Sequence, residues 1–220
     1  MSSRKSSARK VFIVEDHPVF RAGLSDSLGV ADGLAVAGYA ETVEEATEML
    51  DDLIRKADLV LLDLSLPDGS GLELLKTMRG REIDVPVLVV SRHDERLYAT
   101  RCLQAGAQGY LTKEVDPGEV VQAARDVLDG RLAVSDRVRD QVLRQVTGTT
   151  GEDGPLGALS DRELEVFEFV GRGFSTHDIA ERLSLSTKTV HTYRQRIREK
   201  LGLDRQGELV RRAVKWIEDA

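Results

Sequence analysis

Cysteine is almost absent. Cys102 is the single one in 220 residues, so neither an intrachain disulfide nor a zinc centre built on several thiolates can form. That usage suits a reducing cytoplasm, and Cys102 itself reads as a small apolar residue on a helix. Long apolar runs are lacking too: none approaches the roughly 20 residues that a bilayer crossing requires, and no basic-then-apolar leader precedes the first strand-like run. A cytoplasmic chain with no membrane partner is therefore expected. A glycine-rich phosphate turn is also missing after that first run, where Glu15-Asp16-His17-Pro18 stands instead, and this argues against a dinucleotide fold of the Rossmann type.

Short β-branched and aliphatic runs are present, at Lys10–Val14, Asp58–Leu62, Val85–Val90 and Gly109–Leu111, with a weaker one at Leu34–Ala40. Between them apolar residues recur at helical spacing, as in Val43, Ala46, Thr47 and Leu50, then Leu72, Leu75 and Met78, then Leu97, Ala99 and Cys102. Strand and helix alternating in this way imply a parallel sheet covered on both faces, because right-handed crossovers place helices on each side.

A length of 220 residues suffices for two cores. Residues 1–9, rich in Ser and Arg/Lys, read as a disordered tail, and residues 10–132 as the α/β domain. A linker spans 133–155: a helix over Ser135–Val146, then the Gly-, Thr- and acid-rich stretch Thr147–Pro155. Residues 156–220 form a second, all-α domain. From Pro155 onward Lys/Arg number 12 and Asp/Glu 11, against 19 and 27 before it, so the net charge of −7 splits as −8 in the first part and +1 in the second.

In the second part, Ser160-Asp161-Arg162-Glu163 has the form of a capping box, and Leu164, Phe167 and Val170 mark a helix face ending near Gly171. Ser175 can cap a second helix carrying Ile179, Ala180 and Leu183, and Ser186 a third with Val190, Ile197 and Leu201 inward. Asp204 can open a fourth. Helices joined by a turn of three or four residues make a helix-turn-helix. The third helix turns Lys188, His191, Thr192, Gln195 and Arg198 the other way, and Arg194 adds to a local run of positive charge. Entering a major groove, such a helix reads base edges with His191, Thr192 and Gln195 while Lys and Arg side chains hold phosphates. By charge alone, an ordinary solvated helix face explains this stretch equally well.

In the first part, Glu15-Asp16, Asp63 and Lys113 each follow a strand-like run, so a parallel sheet gathers them at one end, where open α/β folds place their sites. Taken singly, each has a plainer reading: loop solvation for the acid pair, a helix cap for Asp63, an exposed amine for Lys113, a strand end for Ser91, a half-buried sheet aromatic for Tyr110. The ordered set favours a metal-assisted phosphoryl site.

Both halves resemble known families. Leu159–Glu163, Ile179–Leu183, Ser186–Val190 and Lys200–Leu203 look like the LuxR-type helix-turn-helix. Glu15-Asp16, Asp63 followed by Pro67 and Gly69, Ser91, and Gly106–Lys113 resemble a bacterial receiver domain. Together they imply a two-component response regulator of the NarL/FixJ type: a five-stranded, doubly wound, flavodoxin-like receiver joined to a four-helix DNA-binding domain. The resemblance implies Asp63 as phosphoacceptor, served by a sensor histidine kinase. Glu15, Asp16 and Asp63 would hold Mg²⁺, Lys113 would meet the phosphoryl oxygens, and Ser91 and Tyr110 would be the switch residues. It also implies double-stranded promoter DNA as partner and a homodimer in the phosphorylated or DNA-bound state, with Val210, Ala213, Val214 and Ile217 as its candidate surface. The protein would not be an enzyme beyond its own phosphorylation and dephosphorylation.

Alternatives are a haloacid-dehalogenase-like phosphatase, which needs a second acid where Ser65 stands, and a receiver regulated without phosphorylation. Two departures from the pattern stand out. Arg92 puts a long cation where receivers carry a small residue, at the mouth of the pocket. Tyr193 replaces a common His in the DNA-reading helix, so base preference does not carry over from relatives.

Overall fold

The computed structural model describes residues 8–146 and 154–218. The chain divides into two compact units, Met1–Asp140 and Gln141–Ala220. The division falls within the expected linker, while the linker's residues 147–153 and tail residues 1–7 lie outside the described residues.

In the first unit, strands β1 (Arg9–Val14), β2 (Leu34–Ala40), β3 (Leu59–Leu62), β4 (Val87–Ser91) and β5 (Gly109–Thr112) form a parallel sheet in the order β2-β1-β3-β4-β5. Helices α1 (Pro18–Val30), α2 (Val43–Glu48), α3 (Gly71–Gly80) and α4 (Glu95–Gln104) lie in the connections between them, and α5 (Pro117–Leu128) follows β5. The period of two divides the side chains between the two faces. Val11 and Ile13 of β1 join Leu59, Leu61, Leu88 and Val90 under Leu24 and Leu28 of α1 and Val120 and Val127 of α5. Phe12 and Val14, equally buried, point to the opposite face.

Three local features depart from the sequence reading. Asp58 precedes β3 instead of opening it: its carboxylate accepts the Lys10 N–H at 2.7 Å and the Arg9 guanidinium at 3.1 Å, tying the start of β3 to β1. A short antiparallel ladder, Ser65–Leu66 with Gly69–Ser70, follows Asp63. In its turn Asp68 accepts the Val43 and Glu44 N–H groups at 2.7 and 2.9 Å, so it caps α2 alongside Thr42. Finally, Ala133 docks on β5 as a one-residue parallel bridge to Gly109. Tyr110 N–H donates to the Ala133 carbonyl at 2.8 Å, and Ala133 N–H donates to the Gln108 carbonyl at 3.1 Å. Gly109 is required there, because a Cβ would lie 2.7 Å from the Ala133 carbonyl oxygen. Helix α6 (Asp136–Val146) begins three residues later under a Ser135 cap.

The second unit holds a short 3₁₀ turn, Gly154–Ala158, then α7 (Asp161–Gly171), α8 (Thr176–Arg182), α9 (Thr187–Leu201) and α10 (Gln206–Glu218). Ser160, Ser175 and Ser186 cap the first three of these, each accepting the N–H of the residue three positions on. Leu164, Phe167, Ile179, Val190, Ile197, Leu209 and Ala213 are buried in its core. Gly171 lets the end of α7 meet α10, since a Cβ would lie 2.6 Å from the Ala213 carbonyl oxygen. Among the described residues no helix is long and apolar enough to cross a membrane.

Candidate functional site

The strand order reverses between β1 and β3, and the acidic residues collect at the carboxyl ends of those two strands, the switch point of the sheet. Register places them there. Val14 lies opposite Leu62, so Glu15 and Asp63 leave neighbouring strands at the same level. Backbone bonds fix the exits: Asp63 N–H donates to the Val14 carbonyl, Glu15 N–H to the Ala40 carbonyl, and Lys113 N–H to the Ser91 carbonyl, each at 2.9 Å.

Lys113 reaches back from the end of β5. Its Nζ lies 2.6 Å from Glu15 Oε2 and 2.7 Å from Asp63 Oδ2, and all three side chains are almost wholly buried, at 5, 2 and 4 % exposure. Asp16 is half-buried, and carboxylate oxygens of Glu15, Asp16 and Asp63 lie within 4.8 Å of one another. Three carboxylates against one ammonium leave a formal charge of −2 in this pocket. Burial pushes the Glu15 carboxyl above its ordinary value and the Asp63 charge adds to it, while Lys113 and the His17 N–H work the other way. Oxygen-only donors with two uncompensated charges suit a small, hard divalent cation.

The first turn of α1 supports this pocket. His17 caps it, Pro18 opens it, and the Arg21 guanidinium donates to the Glu15 carbonyl at 2.8 Å and to Glu41 at 2.8 Å. On the other side, Ser65 Oγ and His93 Nε2 are 2.9 Å apart. His93 N–H donates to Ser91 Oγ at 3.4 Å, and Tyr110 Oη donates to the His93 carbonyl at 2.9 Å. Tyr110 is therefore fully buried, not the half-buried sheet aromatic of the plainer reading. Arg92 is exposed at the end of β4.

In the second unit four residues, Leu183–Ser186, separate α8 from α9, and Ser184 takes a left-handed conformation at φ 53° to make the turn. Lys188, His191, Thr192 and Gln195 are exposed along one side of α9. Arg198 is half-buried. Arg194, expected on the same outer surface, is half-buried as well and reaches Thr176 Oγ1 of α8 at 3.4 Å. Lys200 donates to Glu163 at 2.6 Å, tying α9 to the capping box of α7. Of the expected dimer surface on α10, Val210 remains exposed, but Ala213 is buried against α7.

Comparison with known proteins matches two separate parts of the chain to two families. A model of the response regulator receiver domain matches residues 11–125, and one of the luxR family of bacterial regulatory proteins matches 157–213. Response regulator GacA of Pseudomonas aeruginosa is 35% identical over 206 residues, spanning 94% of this chain and 95% of that one. The chain belongs to the NarL/FixJ-type response regulators. The DNA-binding transcriptional activator DevR/DosR of Mycobacterium tuberculosis is 34% identical over 197 residues, 90% of each chain. Among solved structures, a LuxR-family response regulator from Aurantimonas sp. is 30% identical with a TM-score of 0.57, covering 64% of this chain and 99% of that one. RcsB of Salmonella typhimurium, 22% identical, shares the fold with a TM-score of 0.69, covering 96% and 98%.

Within this response regulator several pocket residues escaped the sequence reading. Phe20, Arg21 and His93 touch it only through space, from a helix turn and a loop whose sequence carries no spacing rule. Ser65 drew notice only as the place where an acid is missing, and the structure gives it a histidine partner instead.

Proposed function

We propose that Asp63 is the phosphoacceptor, loaded from a sensor histidine kinase, and that phosphorylation favours homodimers bound through α9 to double-stranded promoter DNA. The observation that supports the acceptor role is the Lys113 ammonium between Glu15 and Asp63, with Asp16 completing the acidic set. Mg²⁺ fits that set, with Glu15, Asp16 and Asp63 as its protein ligands, and when bound it neutralises charge on the phosphoryl oxygens. An oxygen of the Asp63 carboxylate attacks phosphorus, and the bond from phosphorus to the donor breaks. The donor group leaves with that electron pair, and an acyl phosphate remains on Asp63. Lys113 then trades a carboxylate partner for a phosphoryl oxygen. The protein modifies only itself and turns over no external substrate.

A phosphoryl group changes output only by favouring one conformation over another. Ser91, Ser65 and Tyr110 all hydrogen-bond to His93, through its backbone or its ring. A turn of the Ser91 hydroxyl toward the phosphoryl group disturbs that loop, and Tyr110 on β5 reads the change. Incubating the full chain with Mg²⁺ and acetyl phosphate is expected to add the mass of one phosphoryl group to the wild type and none to Asp63→Asn. Wild-type binding to genomic DNA fragments should tighten in the same samples. Uptake by Asp63→Asn equal to that of the wild type removes the reading.

On α9, Lys188 in the first turn serves as a phosphate contact, Arg198 in the last turn as a second, and the half-buried Arg194 braces the helix against α8. His191, Thr192 and Gln195 face the base edges. Lys188→Ala is expected to weaken binding to all sequences alike and to lower the slope of log affinity against log salt by about 1. Gln195→Ala should instead cost about 1–3 kcal/mol at its preferred base and relax preference there alone. Binding titrations on matched and altered sites at several salt concentrations separate the two; a uniform loss for both variants contradicts the base-reading role.

A further inference from the structure

The ammonium of Lys113 has a third neighbour. Its Nζ stands 4.7 Å from the centroid of the Phe20 ring, within the range in which an aromatic face attracts a cation. We propose that Phe20 is a positioning residue for Lys113: its ring face holds the ammonium in the acidic pocket while the carboxylate partners change. This inference rests on the phosphoacceptor reading above.

Three observations place the ring there by construction. Phe20 sits in the first turn of α1, whose start is set by Pro18 and by the His17 ring accepting the Phe20 N–H at 3.4 Å. Its side chain packs on the buried cluster between the sheet and α1 and α5, so the ring is backed by the core. The next residue, Arg21, holds the Glu15 carbonyl at 2.8 Å. One helical turn therefore grips two members of the pocket, Glu15 through Arg21 and Lys113 through Phe20.

The chemistry explains why a ring suits this position. Lys113 is nearly excluded from water, and a lysine side chain is long and flexible, so something must hold the ammonium when a phosphoryl group displaces a carboxylate. A further carboxylate at this place would add negative charge to a pocket that must admit an anion. An aliphatic side chain would pack equally well but would not attract the cation. The π face attracts it without a fixed direction and without competing for the incoming oxygens.

The test replaces Phe20 with leucine, with tyrosine, and with phenylalanines carrying one, two and three ring fluorines, which weaken the π face at nearly constant shape. Phe20→Leu is expected to slow phosphorylation by acetyl phosphate about 5- to 30-fold, the fluorinated series to slow it stepwise, and Phe20→Tyr to stay within about twofold of the wild type. Independently of phosphorylation, the Lys113 ε-protons should show an upfield ring-current shift in the wild type and in Phe20→Tyr that vanishes in Phe20→Leu. A flat fluorine series with leucine and tyrosine equally slow reduces Phe20 to packing and overturns the proposal. So does the absence of the ring-current shift. Failure of the wild type to take a phosphoryl group defeats the phosphoacceptor reading by itself, and the lysine proton shift then still decides whether the ring holds the ammonium.

Discussion

Replacing Lys113 with methionine is expected to destabilise the metal-free first unit by about 3–5 kcal/mol at pH 7, because it leaves buried carboxylates without their counter-charge. Glu15 and Asp63 are 2 and 4 % exposed, and the ammonium that bridges them is 5 % exposed, so water cannot take its place without opening the pocket. Methionine keeps much of the apolar stem, which separates the loss of charge from the loss of packing. The deficit should depend on pH in a defined sense. Glu15 has a folded-state pKa raised above 4.5, first by burial and then by Asp63. A raised carboxyl contributes stability that is complete below its unfolded value and is lost as pH rises through the folded one. Without Lys113 that elevation grows, so the cost of Lys113→Met is greatest at neutral pH and shrinks as pH falls toward about 5. Hydrogen exchange of the Leu61 and Asp63 amides at both pH values reports on this unit directly. A cost under about 1 kcal/mol with no pH dependence would mean that the pocket is hydrated and the ion pair ordinary. The same electrostatics predicts that millimolar Mg²⁺ restores more stability to Lys113→Met than it adds to the wild type.

The parts of this pocket that the sequence displayed are those tied to sheet geometry. Glu15, Asp16, Asp63 and Lys113 follow strand-like runs, and parallel strands of similar length bring their carboxyl ends together whatever the connections do. The caps of α7, α8 and α9 were legible for a similar reason, since Ser160, Ser175 and Ser186 act on N–H groups three residues away. Features that depend on contact across the fold were not legible. Asp68 caps α2 from a hairpin 25 residues downstream of Val43, and no local pattern announces such a bond. Ala133 joins β5 through one bridge, too short for any periodicity. Arg194 counts as positive charge in a sequence, and its half-burial toward Thr176 follows only from how α8 crosses α9. Chemistry carried by strand ends and caps is thus readable early, whereas residues that brace a site from a neighbouring element are found only in the folded chain.

The same distinction governs glycine and gives the second large expected effect. Gly71 opens α3 directly behind Asp63, where a Cβ would lie 2.0 Å from the Asp63 carbonyl oxygen and 2.9 Å from both its carbonyl carbon and Leu64 Cα. All three obstacles are backbone atoms, so no rotamer change relieves them. Gly71→Ala must push α3 away, lose the hydrogen bond from Gly71 N–H to the Leu64 carbonyl at 2.9 Å, and tilt Asp63 out of the pocket. A loss of about 3 kcal/mol or more is expected, the upper part of the range for forced overpacking. Phosphoryl uptake should fall with it, since the displaced atom belongs to Asp63, the proposed acceptor. Gly23→Ala is the internal control. Gly23 lies inside α1 with nothing within 4 Å of its would-be Cβ, so alanine there should stabilise the protein by about 0.5–1 kcal/mol through helix propensity. Two identical substitutions in two helices of one unit are thus predicted to shift stability in opposite directions. Denaturation midpoints and acetyl phosphate uptake of the pair check this. A Gly71→Ala protein that matches the wild type in both would show that α3 does not seat against Asp63 and that the loop after β3 is free to yield.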